Sequence, residues 1–135
     1  MSKPDRLAIE AKAREAVSRE FNRKLERKRV PFPNGGPSRE FDLFADGHII
    51  GGVSTSTCKT SGRRSNTGGC DRASSEILWL SLWPGPEQRM HVLTDRPMAE
   101  WLVTRFHRVS FPHIIAIFHY DPSEDRLTKI GTINA

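Results

Sequence analysis

Asp42 is the first residue that invites a chemical reading. It sits inside "SREFDLFADGHIIGGVSTST", residues 38–57, in a Phe- and Leu-rich run that reads as a strand. Side chains alternate along a strand, so Glu40, Asp42 and Phe44 are predicted to share one face. A carboxylate in a half-buried strand is costly unless it has a partner or a metal ion. The plainer alternative is a solvated face, with Asp42 beside a loop. On the following strand, Ile50, Gly52 and Ser54 share one face and Ile49, Gly51 and Val53 the other. Asp46-Gly47 between the two runs is a strong hairpin signal.

Several common chemistries are absent. The chain has no Gly-x-x-x-x-Gly-Lys phosphate loop, no Gly-x-Gly-x-x-Gly after a strand, and no Gly-x-Ser-x-Gly elbow. Cys58 and Cys70 are the only cysteines. No His lies near them in sequence, so a zinc site would need distant ligands. In a reducing compartment they read as free thiols. His48, His91, His107, His113 and His119 are scattered, and each reads as a surface or strand-end residue rather than a general base.

The elements that must position Asp42 follow from the rest of the pattern. The 135 residues suit a single domain, 1–135, with Trp79, Trp83, Trp101 and seven Phe as core material. No signal peptide and no apolar run of spanning length is evident, so a soluble, cytoplasmic protein is expected. Residues 4–27 read as a helix, with Pro4 at its start and Ala13, Val17, Phe21 and Leu25 recurring at four-residue steps. Val30 and Phe32 suit an edge strand, because the neighbouring prolines exclude a central one. Residues 40–44 and 48–54 form the hairpin, and 55–70 are a polar, mobile loop. Asp71 or Ser74 is the expected cap of a helix through "SSEILWLSLW". "RMHVLTD" is a strand, "RPMAEWLVTRFHR" a helix, "HIIAIFHY" a buried strand and "RLTKIGTI" an edge strand. The fold class is α/β, a mixed central sheet flanked by helices.

Charge is uneven. Of the net +5, residues 1–39 contribute 11 basic and 5 acidic side chains, densest at "RKLERKRV". Arg23, Lys24, Arg27, Lys28 and Arg29 in this block, with Lys59, Arg63, Arg64 and Arg72 in and after the Ser-, Thr- and Gly-rich loop, are candidate phosphate contacts. A solvated basic helix and a disordered surface loop are the plainer readings of the same residues.

The order α-β-β-β-α-β and the frame "EFDL … DGHIIGGVS" resemble the PD-(D/E)XK, restriction-endonuclease-like nuclease superfamily, over roughly residues 8–120. The resemblance implies two carboxylates that hold Mg²⁺ against a scissile phosphate and a lysine that helps the attacking water. Asp42 matches the family aspartate and is the implied metal ligand. Glu20 is the candidate for a glutamate supplied by the first helix. Gly52 stands in the acidic slot of the second motif and Ser54 in the lysine slot. Gly52 cannot ligate a metal and Ser54 cannot act as a cation.

The resemblance therefore implies a nucleic-acid-associated protein, with DNA ahead of RNA as partner, impaired or absent catalysis, and the homodimer common in this fold. The alternatives are two. An active Mg²⁺-dependent endonuclease would draw its second carboxylate from Glu76 or Glu40 and its cation from Lys59, Arg63, Arg64 or Arg72. An accessory subunit would bind a protein partner through its basic helix. Glu76 also reads as a surface pair with Arg72.

Overall fold

The structure, a computed structural model, describes residues 2–33, 35–58 and 66–134. In chain order its elements are α1 (Lys3–Phe21), β1 (Glu26–Pro31), β2 (Ser38–Ala45), β3 (Ile49–Ser54), α2 (Thr67–Leu82), β4 (Gln88–Leu93), α3 (Arg96–Phe106), β5 (Ile115–Asp121) and β6 (Arg126–Ile133). The strands form one open mixed sheet in the order β1-β2-β3-β4-β5-β6. β3, β4 and β5 run parallel, joined by the α2 and α3 crossovers, and the remaining neighbours pair antiparallel. The expected mixed α/β class and order of elements hold. No helix among the described residues is long and apolar enough to cross a membrane.

Two cores sandwich the sheet. Ala13, Ala16 and Val17 of α1 pack on Leu43, Ile49, Val53, Met90, Val92 and Phe118. On the other face, Ile77 and Leu80 of α2 and Met98 and Leu102 of α3 pack on Phe41, Phe44, Ile50, Leu93 and Ile117. β3 and β5 are buried on both faces, which is why their sequences read as near-continuous apolar runs. β1 and β6 lie at the edges, where Pro31 is tolerated.

The largest departures from expectation are at two helix boundaries. α1 starts with a capping box between Ser2 and Asp5 but stops at Phe21, where Asn22 adopts the left-handed conformation with φ 52°. The basic block after it, read as helix to 27, instead forms a turn and then β1, whose backbone pairs with β2. α2 begins inside the stretch read as loop. Asn66 caps it by accepting from Gly69 N at 3.1 Å, not Asp71 or Ser74. Lys59, Arg63 and Arg64 lie outside the described residues.

The far end of α2 is tied down by a buried ion. Arg89 on β4 is 5% exposed and donates to the carbonyls of Leu80 at 3.0 Å, Gly85 at 2.9 Å, Glu87 at 2.8 Å and Trp83. These include carbonyls that a helix C-terminus leaves without partners. Glu87 completes the knot, accepting from Trp83 Nε1 at 2.8 Å and from Gly47 N of the β2–β3 turn at 2.9 Å. Gly47 has φ +74°, as the turn requires. Removing the guanidinium strands four carbonyls, each of which then loses a charge-assisted hydrogen bond. Arg89→Ala is expected to lower unfolding free energy by about 3 kcal/mol in urea denaturation. A loss under about 1 kcal/mol would show that the knot does not hold α2.

Candidate functional site

The site begins where two strands part. β2 and β3 pair only through Ala45↔Ile49, Phe44↔Ile50 and Leu43↔Gly51. Beyond Leu43, β2 keeps its pairing with β1, while β3 keeps its pairing with β4 as far as Ser54. Asp42 stands at this fork. Its Oδ2 accepts from Val53 N at 2.9 Å, and its carbonyl accepts from Arg14 Nε of α1 at 2.8 Å. Side chains thus satisfy backbone groups that the ladder leaves open. Asp42 is therefore half-buried, and one carboxylate oxygen already has a backbone partner without a metal ion.

A bulge sets the direction of Asp42. Glu26 pairs with Phe44 and Lys28 with Phe41, two steps on β1 against three on β2. The extra residue puts Phe41 and Phe44 on the α2–α3 side and Leu43 on the α1 side. The expected common face of Glu40, Asp42 and Phe44 is broken. Asp42 instead lines a cleft of about 640 Å³ with Lys3, Arg6 and Glu10 of α1, Arg27, Ser54 and Arg72. Burial pushes the Asp42 carboxyl above its ordinary 3.8, against the pull of Val53 N–H and Arg14. Burial, and then Asp42 itself, raises Glu10.

The first-helix carboxylate at this site is Glu10, not Glu20. Glu20 is exposed at the other end of α1, where neighbouring Arg19 pairs with Asp125 of the β5–β6 turn at 2.6 Å. Ten residues of helix separate the two glutamates by about 15 Å. Glu10 lies three and seven residues before Ala13 and Val17, so the helical period already put it on the packed face.

On the other side of the fork, the alternation expected for β3 holds, with Ile50 in the α2-side core and Val53 in the α1-side core. Gly52 points at α2. A Cβ on Gly52 would overlap Glu76 Oε1 and stand 2.6 Å from Glu76 Cδ. Glu76 thus fills the space that a side chain at 52 would take. It does not pair with Arg72, which donates to Ser56 Oγ at 3.2 Å. Glu76 Oε2 accepts instead from Arg39 of β2, whose guanidinium lies 5.1 Å from the Trp79 ring and 5.7 Å from Phe41. Burial raises the Glu76 carboxyl, opposed by Arg39 and reinforced by Asp42.

Ser54, at the lysine position of the resemblance, shares a 2.8 Å hydrogen bond with His91 Nε2. His91 faces Gly52 across the β3–β4 ladder and is fully buried, not a surface or strand-end residue. Burial, with help from Arg39, drives its pKa down to about 3, so the ring is neutral at pH 7. Among the described residues, no cluster of three or more His, Cys, Asp or Glu side chains is arranged to hold a metal ion. Cys58 and Cys70 are free, half-buried thiols.

The basic candidates divide. Arg27 and Arg72 reach the Asp42 cleft. Lys28 and Arg29 lie on the exposed edge of β1, with Arg23 and Lys24 in the turn before it. Arg27 pairs with Glu40 at 3.0 Å, so Glu40 is engaged on the β1–β2 surface rather than serving as the second carboxylate. Sequence reasoning missed Lys3, Arg6, Glu10, Arg39 and His91. For Arg39 the signal was its parity with Phe41 on β2. Comparison with known protein families, curated proteins and solved structures finds no match.

Two outcomes follow from this geometry. Asp42 and Glu76 have raised pKa values. Their contribution to stability is full below the unfolded carboxylate range and is lost as pH rises through the folded value. Asp42→Asn keeps an acceptor for Val53 N and removes the charge. Its melting temperature relative to the parent is expected to be higher at pH 7 than at pH 3.5. Equal differences at both pH values would show that ionised Asp42 costs nothing. Gly52→Ala forces Glu76 out of its place. A double-mutant cycle of Gly52→Ala with Glu76→Ala is expected to show a coupling of about 1 kcal/mol or more.

Proposed function

We propose that this protein is a nucleic-acid phosphodiester hydrolase of restriction-endonuclease-like architecture, with Asp42 and Glu76 as its carboxylate pair. One observation carries the reading: the Glu76 carboxylate occupies the volume of the side chain absent at Gly52. The second acid of the motif is then supplied from α2 instead of β3. The α-β-β-β-α-β order of the first six elements supports the architecture.

The residues present suit a hard divalent cation. Mg²⁺ is commonly held by one or two carboxylates, with water and substrate phosphate completing its shell. Glu76 Oε1 is buried without a hydrogen-bond partner, and Asp42 lies near enough to raise the Glu76 pKa. Asp42 and Glu76 would hold such an ion, which would polarise the phosphate and acidify a bound water. The chain's own groups do the rest. Lys3, Arg6, Arg27 and Arg72 line the cleft and attract the phosphate backbone. Val53 N–H and Arg14 fix Asp42 at the fork.

A second reading, binding without cleavage, draws support from Arg39, which already neutralises Glu76, and from Ser54, which carries no charge. One assay separates the two. Duplex, single-stranded and branched DNA and RNA are incubated with Mg²⁺ or Mn²⁺, and cleavage is followed on gels. Metal-dependent cleavage is expected, lowered about 100-fold or more by Asp42→Ala and by Glu76→Ala, the scale on which single catalytic groups act. Retained binding without cleavage of any substrate would establish the second reading. Absence of both would overturn nucleic acid as the partner.

A further inference from the structure

Among the described residues, three buried side-chain atoms have no hydrogen-bond partner: Arg39 Nε, Glu76 Oε1 and His91 Nδ1. All three residues line one cavity of about 310 Å³, with Ser54, Arg72 and Ser75. Buried polar atoms left unpaired are rare and costly, and three of them on residues that line one polar cavity point to a polar occupant. Val53, Ser54 and Arg72 also line the Asp42 cleft, so the two spaces adjoin.

The donors define the occupant. Two guanidiniums, two hydroxyls and a neutral imidazole outweigh one carboxylate. The Arg39 guanidinium is held over Trp79 and Phe41, with one edge on Glu76 and its Nε–H free. A planar fork fixed in this way suits a tetrahedral oxyanion. His91 can donate through Nδ1 while Nε2 accepts from Ser54. Glu76 Oε1 then accepts from water, or from the O–H of a protonated phosphate.

We propose that this cavity is a phosphate-group site in which Arg39 is the anchoring cation, taking the place of the positive charge missing at Ser54. The proposal deepens the hydrolase reading, since it puts a substrate phosphate beside Glu76 in a cavity that adjoins the Asp42 cleft. It does not require cleavage. Arg39 belongs to the site twice: it balances Glu76 when the cavity holds no anion, and its guanidinium lines the space that a phosphate would enter.

The test is binding of inorganic phosphate in EDTA, measured by calorimetry at constant ionic strength against chloride. Arg39→Gln alone leaves Glu76 buried without its cation and can fail to fold. The informative comparison is Glu76→Gln against Arg39→Gln/Glu76→Gln, in which a neutral pair replaces the ion pair. Glu76→Gln removes an anion beside the site and is expected to bind phosphate more tightly than the parent. The double variant is expected to bind about tenfold or more weakly than Glu76→Gln, the scale of one charge-assisted hydrogen bond. Equal affinity of the two variants, or no phosphate binding by the parent and Glu76→Gln, would overturn the proposal.

A 5′-phosphorylated duplex and its 5′-hydroxyl twin then compete for the bound phosphate in Glu76→Gln. Displacement by the first alone assigns a terminal phosphate, and displacement by both assigns a backbone phosphate. Displacement by neither would overturn the assignment to nucleic acid. Phosphate binding that survives alongside a failed cleavage assay would remove the hydrolase reading and leave this site standing.

Discussion

The separation of β2 from β3 beyond Leu43 and Gly51 governs the chemistry of this molecule. Two neighbouring strands that stop pairing expose backbone donors and acceptors, and each needs a new partner. Here the partners are Asp42 Oδ2 for Val53 N–H and Arg14 for the Asp42 carbonyl. The carboxylate is thus part of the hydrogen bonding that keeps the fork open. The fork in turn makes room for a cleft on the α1 side and a cavity on the α2 side, both reached past Val53 and Ser54. The bulge between Phe41 and Phe44 lets β2 keep both phenylalanines in the α2-side core while it turns Asp42 toward α1.

The α2 side of the fork holds charge where burial disfavours it. Glu76 is 9% exposed and His91 is fully buried. Taking ions out of water costs several kcal/mol each unless close partners compensate. Arg39 compensates Glu76 on one oxygen only, and His91 stays uncharged. Apolar side chains would fill the same volume with less desolvation. The proposed phosphate site would account for an acid, a guanidinium and an imidazole around one polar cavity.

Much of the scaffold was legible because it is written locally. The hairpin at Asp46-Gly47, the buried runs of β3 and β5, the edge character of β1 and the helices flanking the sheet all follow from period, turn chemistry and proline. The boundaries that failed were also local, but were decided by backbone geometry that composition does not reveal. Asn22 ends α1 in the left-handed region, and Asn66 starts α2 ahead of two glycines. The candidate site was legible in part. Asp42 stood out as an acid in an apolar strand, and Gly52 as a vacancy. Glu10 and Arg39 were hidden among many charged residues, because periodicity puts a residue on a face without saying which part of the sheet that face covers.

The sequence by itself determined the order of elements, the alternation of β3 that turns Gly52 to one face and Val53 to the other, and the presence of an acid beside the hairpin. These depend on dihedral preference and the two-residue strand period, which act within a few residues. Only the tertiary structure decided that Glu76 fills the space at Gly52, that Glu10 and not Glu20 reaches Asp42, and that Arg39 and His91 share a cavity with Glu76. Those contacts join residues 15 to 52 positions apart, through the seating of α1 and α2 on the two faces of the sheet. Helix seating is fixed by side-chain packing against strands distant in sequence, a constraint that no local pattern contains.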